Sequence, residues 1–203
     1  MALWLADRPL VLASKSESRR TILANAGIPI EIAPADIDER AIERRVRDRG
    51  GPSEVAKLLA REKALAISAK KSGGLVLGAD QTLALGTRIF SKPGDQASAR
   101  DQLIALRGKT HELHSALAVT REGATVFEHH DSARLTMRVF SDDFLDQYLD
   151  AAGEAVTTSV GAYQVESLGI QLFRRIEGSH FTILGLPLSP LLDFLRREGY
   201  LAD

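Results

Sequence analysis

The chain has 203 residues, of which 44% are hydrophobic and 26% charged, and its formal net charge is −1. That balance allows one large globular domain with a substantial core and excludes a disordered or fibrous class. It also leaves no whole-molecule field to recruit nucleic acid or an anionic membrane. Cysteine is absent, which excludes disulfides, thiolate zinc sites and cysteine nucleophiles.

The start, Met1 to Leu12, is apolar but broken by Asp7, Arg8 and Pro9. It has neither a basic leader nor a small-residue cleavage site. No apolar run nears the roughly 20 residues that span a bilayer. The expectation is a cytoplasmic protein without membrane or nucleic-acid partners. Leu10 to Ala13 reads as a short buried strand, followed by the polar turn Ser14 to Ser18 and a helix from about Arg19 to Asn25, stopped by Gly27. Pro29 to Ala33 can form a second strand, and the charged segment Ala35 to Gly51 an exposed helix or loop. Ser53 opens an amphipathic helix with Val55, Leu58, Leu59, Ala66 and Ile67 on one face, ended by Gly73 and Gly74.

Leu75 to Ala79 is an apolar strand expected to deliver Asp80 at its carboxyl end. Thr82 to Phe90, with Gly86 inside, reads as a hairpin. A helix from about Gln96 to Leu106 precedes two long strand-like stretches, His111 to Thr120 and Thr125 to Val139. Ser141 caps a helix to about Leu149, with Asp142 and Asp143 in its first turn. A strand near Ile170 to Ile176 and a helix from Leu191 to Glu198 complete the pattern. Residues 1–203 thus read as a single α/β domain, with a mixed sheet flanked by helices and a bilobed outline.

Several groups of residues can carry chemistry. Ser14, Ser16, Arg19 and Arg20 follow a strand and open a helix, where free N–H groups, hydroxyls and guanidinium groups make an anion site. The alternative is that the serines cap the helix and the arginines are solvated. Asp80 beside small residues suits a metal ligand or general base, or equally a turn cap. Lys92, in Ser91-Lys92-Pro93, can hold a phosphate as a point charge or lie on the surface. Asp38-Glu39 and Glu62-Lys63 can share a divalent cation or form solvated faces. The five histidines show no metal-binding spacing, and His111 and His114 stand on opposite parities of a strand, so they should not converge. No GxSxG or GxxxxGK[ST] motif occurs, which removes support for serine-esterase and P-loop chemistry. What remains is an oxygen-ligated metal aided by lysine and arginine, the parts that attack of water on a phosphoryl group requires.

The ordered set of motifs resembles the Maf family. Leu12 to Arg20 is similar to its LASxSxxRR opening, and Asp38-Glu39 to its acidic pair. Arg61-Glu62-Lys63-Ala64 resembles its EKA helix, Gly78-Ala79-Asp80-Gln81 its GAD motif and Ser91-Lys92-Pro93 its KP turn. Gly108 to His111 resembles its G-x-x-H element, Gly161 to Gly169 its late glycine-rich stretch, and Gly185-Leu186-Pro187-Leu188 its GLPL. The resemblance covers nearly the whole chain. It implies a mixed α/β fold like that of inosine triphosphate pyrophosphatases, with a cleft between two lobes. It further implies metal-dependent hydrolysis of a nucleoside triphosphate to a monophosphate and pyrophosphate, with Mg²⁺, Mn²⁺ or Co²⁺ as the divalent metal.

By position Asp80 would be the general base and would share the metal with Glu39. Ser14, Ser16, Arg19, Arg20, Lys63 and Lys92 would hold phosphates, the two lysines also taking part in catalysis. Gln81 and Glu166 would lie near the base and match the 7-methyl-GTP group more than the UTP/dTTP group. Two departures stand out: Glu17 replaces the usual Pro, and Ser18 stands where the 7-methyl-GTP group often has Trp. A UTP/dTTP or broad nucleotide pyrophosphatase, housecleaning of deaminated purine nucleotides, a non-catalytic regulator of septum formation and a homodimer all stay open.

Overall fold

The computed structural model describes residues 3–47, 50–71 and 73–203. Parts of the expected N-terminal stretch, of the charged segment 35–51 and of the approach to Gly73 therefore lie outside the described residues.

Seven strands form one mixed sheet: β1 (Leu10–Leu12), β2 (Ile30–Ile32), β3 (Leu75–Leu85), β4 (Arg88–Phe90), β5 (Thr110–Arg121), β6 (Ala124–Met137) and β7 (Phe173–Glu177). The order is β2-β1-β3-β5-β6-β7, with β4 paired to the far end of β3. β1 runs parallel to β2 and β3, and every other pairing is antiparallel. The helices are α1 (Glu17–Asn25), α2 (Glu39–Arg47), α3 (Pro52–Ser68), α4 (Gln96–Leu106), α5 (Asp142–Ala152), α6 (Ala155–Thr158), α7 (His180–Ile183) and α8 (Leu188–Arg197). No helix among the described residues is long and apolar enough to cross a membrane.

The long strands pass through two cores, which accounts for the bilobed outline. One core gathers Leu83, Phe90, Leu103, Leu113, Leu135, Met137, Leu145 and Tyr163. The other gathers Leu10, Leu12, Leu23, Leu77, Leu117, Val119, Leu191 and Phe194. β3 crosses from one to the other between Ala79 and Leu83, so Asp80 and Gln81 stand at the junction. On the opposite face of the sheet α3 packs through small side chains, Ala56, Ala60 and Ala64, against Ala116 and Ala118. Gly78 completes this contact: a Cβ there would lie 2.1 Å from the carbonyl oxygen of Ala60. Only a glycine lets the helix and strand backbones come this close.

Some expectations need correction. Asp80 does not end a strand but lies inside the eleven residues of β3, which pairs with β5 from Leu75 to Ala84. The apolar run stops there because the surroundings of the strand change, not its conformation. α1 begins at Glu17, two residues early, because the Ser16 hydroxyl already accepts from Arg19 N. α8 begins at Leu188, because Pro190 falls in its first turn, where a missing N–H costs little. The strand expected near Ile170 is a single 3₁₀ turn, Leu168–Leu172, with β7 starting only at Phe173. Gly169 lies so close to Gln164 that a Cβ would fall 2.4 Å from its carbonyl oxygen, so the chain folds on itself here rather than extending.

Candidate active site

Alternation along β3 decides which side chains meet. Residues opposite one another across an antiparallel pair share a face, and Asp80 opposes Ala116, so Asp80 points toward α3. Side chains on a helix lean toward its N-terminus, and from α3 the buried Lys63 reaches Asp80, its Nζ donating to Oδ1 at 2.6 Å. The same ammonium lies 2.8 Å from Glu39 Oε1 at the start of α2. Of the acidic pair, Asp38 caps α2 by accepting from Ala41 N at 2.9 Å, and Glu39 turns to Lys63.

Arg19 supplies the second buried cation. Its Nε donates to Gly185 O (2.9 Å), and its Nη1 donates to Ser14 Oγ (3.1 Å) and Ala79 O (2.8 Å). Ser14 Oγ also accepts from Ser16 N at 3.2 Å, which orders the turn before α1. Ser16 serves as the N-cap. Arg20 lies outside the cluster: one residue on, the helix has turned it outward, where it is exposed and paired with Glu17. It lines a shallow surface groove with Thr21, Ala24 and Ile32.

Burial and charge compete here. Burial raises the Asp80 carboxyl above the usual carboxylate range, against the opposing pull of Lys63 and Arg19. Burial likewise lowers the Arg19 guanidinium, while Asp80 and Glu39 hold it up. Lys92, exposed over the residue as a whole, carries its ammonium close enough to feel the cluster. Partial burial lowers its pKa first, then Arg19 and Lys63, with Glu39 and Asp80 opposing. Arg19, Lys63, Lys92, Glu39 and Asp80 thus occupy one electrostatic site at the junction of the two cores, with cations in excess over carboxylates.

A family profile described as Maf-like protein matches residues 9–198. This chain belongs to the Maf family. A Rhodopseudomonas palustris protein named nucleoside triphosphate pyrophosphatase is 56% identical over 202 residues, covering 100% of both chains. One of the same name from Bradyrhizobium diazoefficiens is 57% identical over 202 residues, again covering 100% of both. A Brucella abortus protein named 7-methyl-GTP pyrophosphatase is 51% identical over 190 residues, 93% of this chain and 96% of its own. Among solved structures, a HAM1 protein from Coxiella burnetii overlaps 65% of this chain and 74% of its own at a TM-score of 0.45 and 19% identity.

The remaining expected residues of the Maf chain sit at the edges of the cluster. Gln81 points to the opposite face of β3 from Asp80, where its Nε2 donates to Ser115 Oγ (2.9 Å), Thr182 O (3.0 Å) and Ile183 O (3.0 Å). Those acceptors fix the amide orientation, and among the described residues Oε1 has no hydrogen-bond partner. Glu166 is exposed, with Oε1 3.5 Å from Ser18 Oγ, so the two residues face one another.

His111 and His114 lie on opposite faces of β5, as strand parity requires. His111 shares a 2.7 Å hydrogen bond with Tyr163 in the core, where burial lowers its pKa to about 4. His114 stacks on His130, with ring centroids 5.6 Å apart. Sequence reasoning missed Ser115, Asp131 and Thr182, and it reached Gly185 only as part of the GLPL motif.

No group of three or more His, Asp or Glu side chains among the described residues forms a ready metal cage. Glu39 and Asp80 do converge, however, since both touch one ammonium, at 2.8 and 2.6 Å. One or two carboxylates, completed by water and substrate phosphate oxygens, are what Mg²⁺ commonly uses. The donor set therefore fits a hard divalent cation held jointly with the nucleotide.

Proposed function

We propose that this Maf protein hydrolyses a nucleoside triphosphate in the cytoplasm to a monophosphate and pyrophosphate, by attack of water at the α phosphorus. The observation that carries the reading is the buried Asp80–Lys63 pair, joined from the surface by Glu39, with Arg19 fixed on Ala79 O of the same strand. The names of the relatives in Rhodopseudomonas palustris and Bradyrhizobium diazoefficiens agree with it.

Asp80, with its carboxyl raised by burial, orients the attacking water and takes its proton. Lys63 holds Asp80 in place and, with Lys92 and Arg19, absorbs charge on the triphosphate as the bond to pyrophosphate breaks. Arg19 is suited to this because its two Nη2 N–H groups stay available after Nε and Nη1 are committed. Ser14 and the start of α1 flank the phosphates. Glu39 and Asp80 would hold a divalent metal, which supplies neutralisation of the polyphosphate when bound. In ¹⁸O water the label should appear in the monophosphate and pyrophosphate should be released intact. Label in pyrophosphate, or release of orthophosphate with a diphosphate, would overturn the reading.

For the base, the proposal is 7-methyl-GTP ahead of UTP or dTTP. Glu166 can accept the adjacent N1–H and N2–H₂ donors of guanine, and its charge complements the cationic methylated ring. Gln81, held with Oε1 outward from its acceptors, likewise offers an acceptor rather than a donor. The relative named 7-methyl-GTP pyrophosphatase supports this choice. The second reading is a broad nucleotide specificity, favoured by the exposure of Glu166 and by Ser18, which cannot stack on a base.

A further inference from the structure

Arg19 is anchored at three points, and they are unequal in origin. Ser14 and Ala79 belong to the turn and strand beside the site, whereas Gly185 comes from 166 residues along the chain. The Gly185 carbonyl can steer the guanidinium only if something holds Gly185. The element before it, α7, is a four-residue turn, too short to be stable alone. Its last carbonyls have no partners within the helix.

The following backbone supplies some, with Gly185 N donating to Thr182 O at 3.1 Å, and the sheet holds Thr182 O and Ile183 O from the other side. Ser115 Oγ donates to Thr182 O at 2.7 Å, and Gln81 Nε2 donates to Thr182 O, Ile183 O and Ser115 Oγ. On the other side, Thr182 Oγ1 donates to Asp131 Oδ2 at 2.6 Å. Ser115 and Thr182 are completely buried. Gly185 then sits between two side chains of the network: a Cβ on it would lie 3.4 Å from Arg19 Nη2 and 3.7 Å from Gln81 Cδ. Its φ of +94° is a conformation that glycine adopts readily and other residues do not.

We infer that Ser115, Gln81 and Asp131 are positioning residues that work through Arg19, forming a buried latch that sets the Gly185 carbonyl and so aims the guanidinium beside Asp80. The inference rests on the reading of the Asp80 cluster as the phosphate site. Ser115 and Asp131 need not touch the substrate, and Gln81 serves the latch through its Nε2 alone. They govern turnover because a displacement of about 1 Å in a charge-stabilising group can cost on the order of 100-fold in rate.

The test is a double-mutant cycle on pyrophosphate release, using whichever of GTP, 7-methyl-GTP and UTP the wild type turns over fastest. Ser115→Ala and Asp131→Ala should each lower kcat by roughly 10-fold in the wild-type background. In the Arg19→Ala background they should change it by less than about 2-fold, and in Lys92→Ala they should again cost about 10-fold. Ser115→Thr, which restores the hydroxyl, should recover most of the loss. Equal losses in the wild-type and Arg19→Ala backgrounds, or unchanged kcat in folded Ser115→Ala and Asp131→Ala proteins, would overturn the latch while leaving the site standing. If Ser115→Ala fails to fold, Asp131→Ala carries the cycle, since Asp131 is only partly buried and its loss frees the Thr182 hydroxyl and the exposed Ser132 N–H. Full turnover in Arg19→Ala would bring down the reading of the site itself.

Discussion

Gly78→Ala is the smallest change that should disable the site without touching a charged group. The added Cβ would sit 2.1 Å from Ala60 O, 2.7 Å from Ala64 N and 3.0 Å from Ala64 Cβ. Two of these neighbours are backbone atoms, so no side chain can swing away. Reaching the 3.4 Å of an ordinary contact requires α3 and β3 to part by about 1.3 Å. Carried rigidly to Lys63, that shift would stretch its 2.6 Å contact with Asp80 to about 3.9 Å, beyond a hydrogen bond. Overpacking of this kind costs about 1–3 kcal/mol, which lowers Tm by roughly 2–4 °C per kcal/mol in a chain of this size. Turnover should fall on the order of 100-fold, because the carboxylate and its cation no longer move as a unit. Thermal unfolding and pyrophosphate release on the same sample measure both effects. A companion Ala64→Gly change should not rescue either, since the Ala60 carbonyl remains. Wild-type turnover in Gly78→Ala, or full rescue by Ala64→Gly, would refute the reasoning.

Asp80→Asn keeps shape but removes basicity, so the rate should fall by ~10²–10⁴ with the fold intact; near-normal turnover in a folded variant contradicts the assignment. Because burial raises the Asp80 carboxyl in the free protein, the acid limb of the wild-type kcat/KM profile should lie above the ordinary carboxylate range and vanish in Asp80→Asn. His111 gives a stability prediction. Its folded pKa, about 4 against 6.5, means that the unfolded chain takes up a proton that the folded chain refuses. Its contribution is full above pH 6.5 and is lost as pH falls toward 4, amounting to about 2 kcal/mol between pH 7 and 5. Denaturant unfolding should show that slope in the wild type and lose it in His111→Gln, which can still reach Tyr163; an unchanged slope would show that other groups set it. Glu166→Gln should erode any preference for 7-methyl-GTP over UTP by about 1–3 kcal/mol in kcat/KM, and an unchanged ranking would place base recognition elsewhere.

Much of this protein could be read locally. The apolar run that opens β3, the strand-like stretches of β5 and β6, the capping serines Ser16 and Ser141 and the stop at Gly27 depend on neighbours within a few residues, so the sequence by itself determined most of the elements and their mixed α/β grouping. It also marked Asp80, Lys63, Glu39, Arg19 and Lys92 as a set, because their motifs occur in a family order. Helical phase then separates Arg19 from Arg20, although the motif treats them alike. Only the tertiary structure decided what joins distant segments. Lys63 finds Asp80 because Gly78 lets α3 settle on β3. Gln81 spends its amide nitrogen on Ser115 and α7 because it faces away from Asp80 on the same strand. Ser115, Asp131 and Thr182 carry no local signal, since a lone hydroxyl or carboxylate in a strand looks the same whether solvated or buried. Their roles depend on the β5–β6 register, which sets Ser115 opposite Asp131, and on a chain that returns more than fifty residues later to place Thr182 between them.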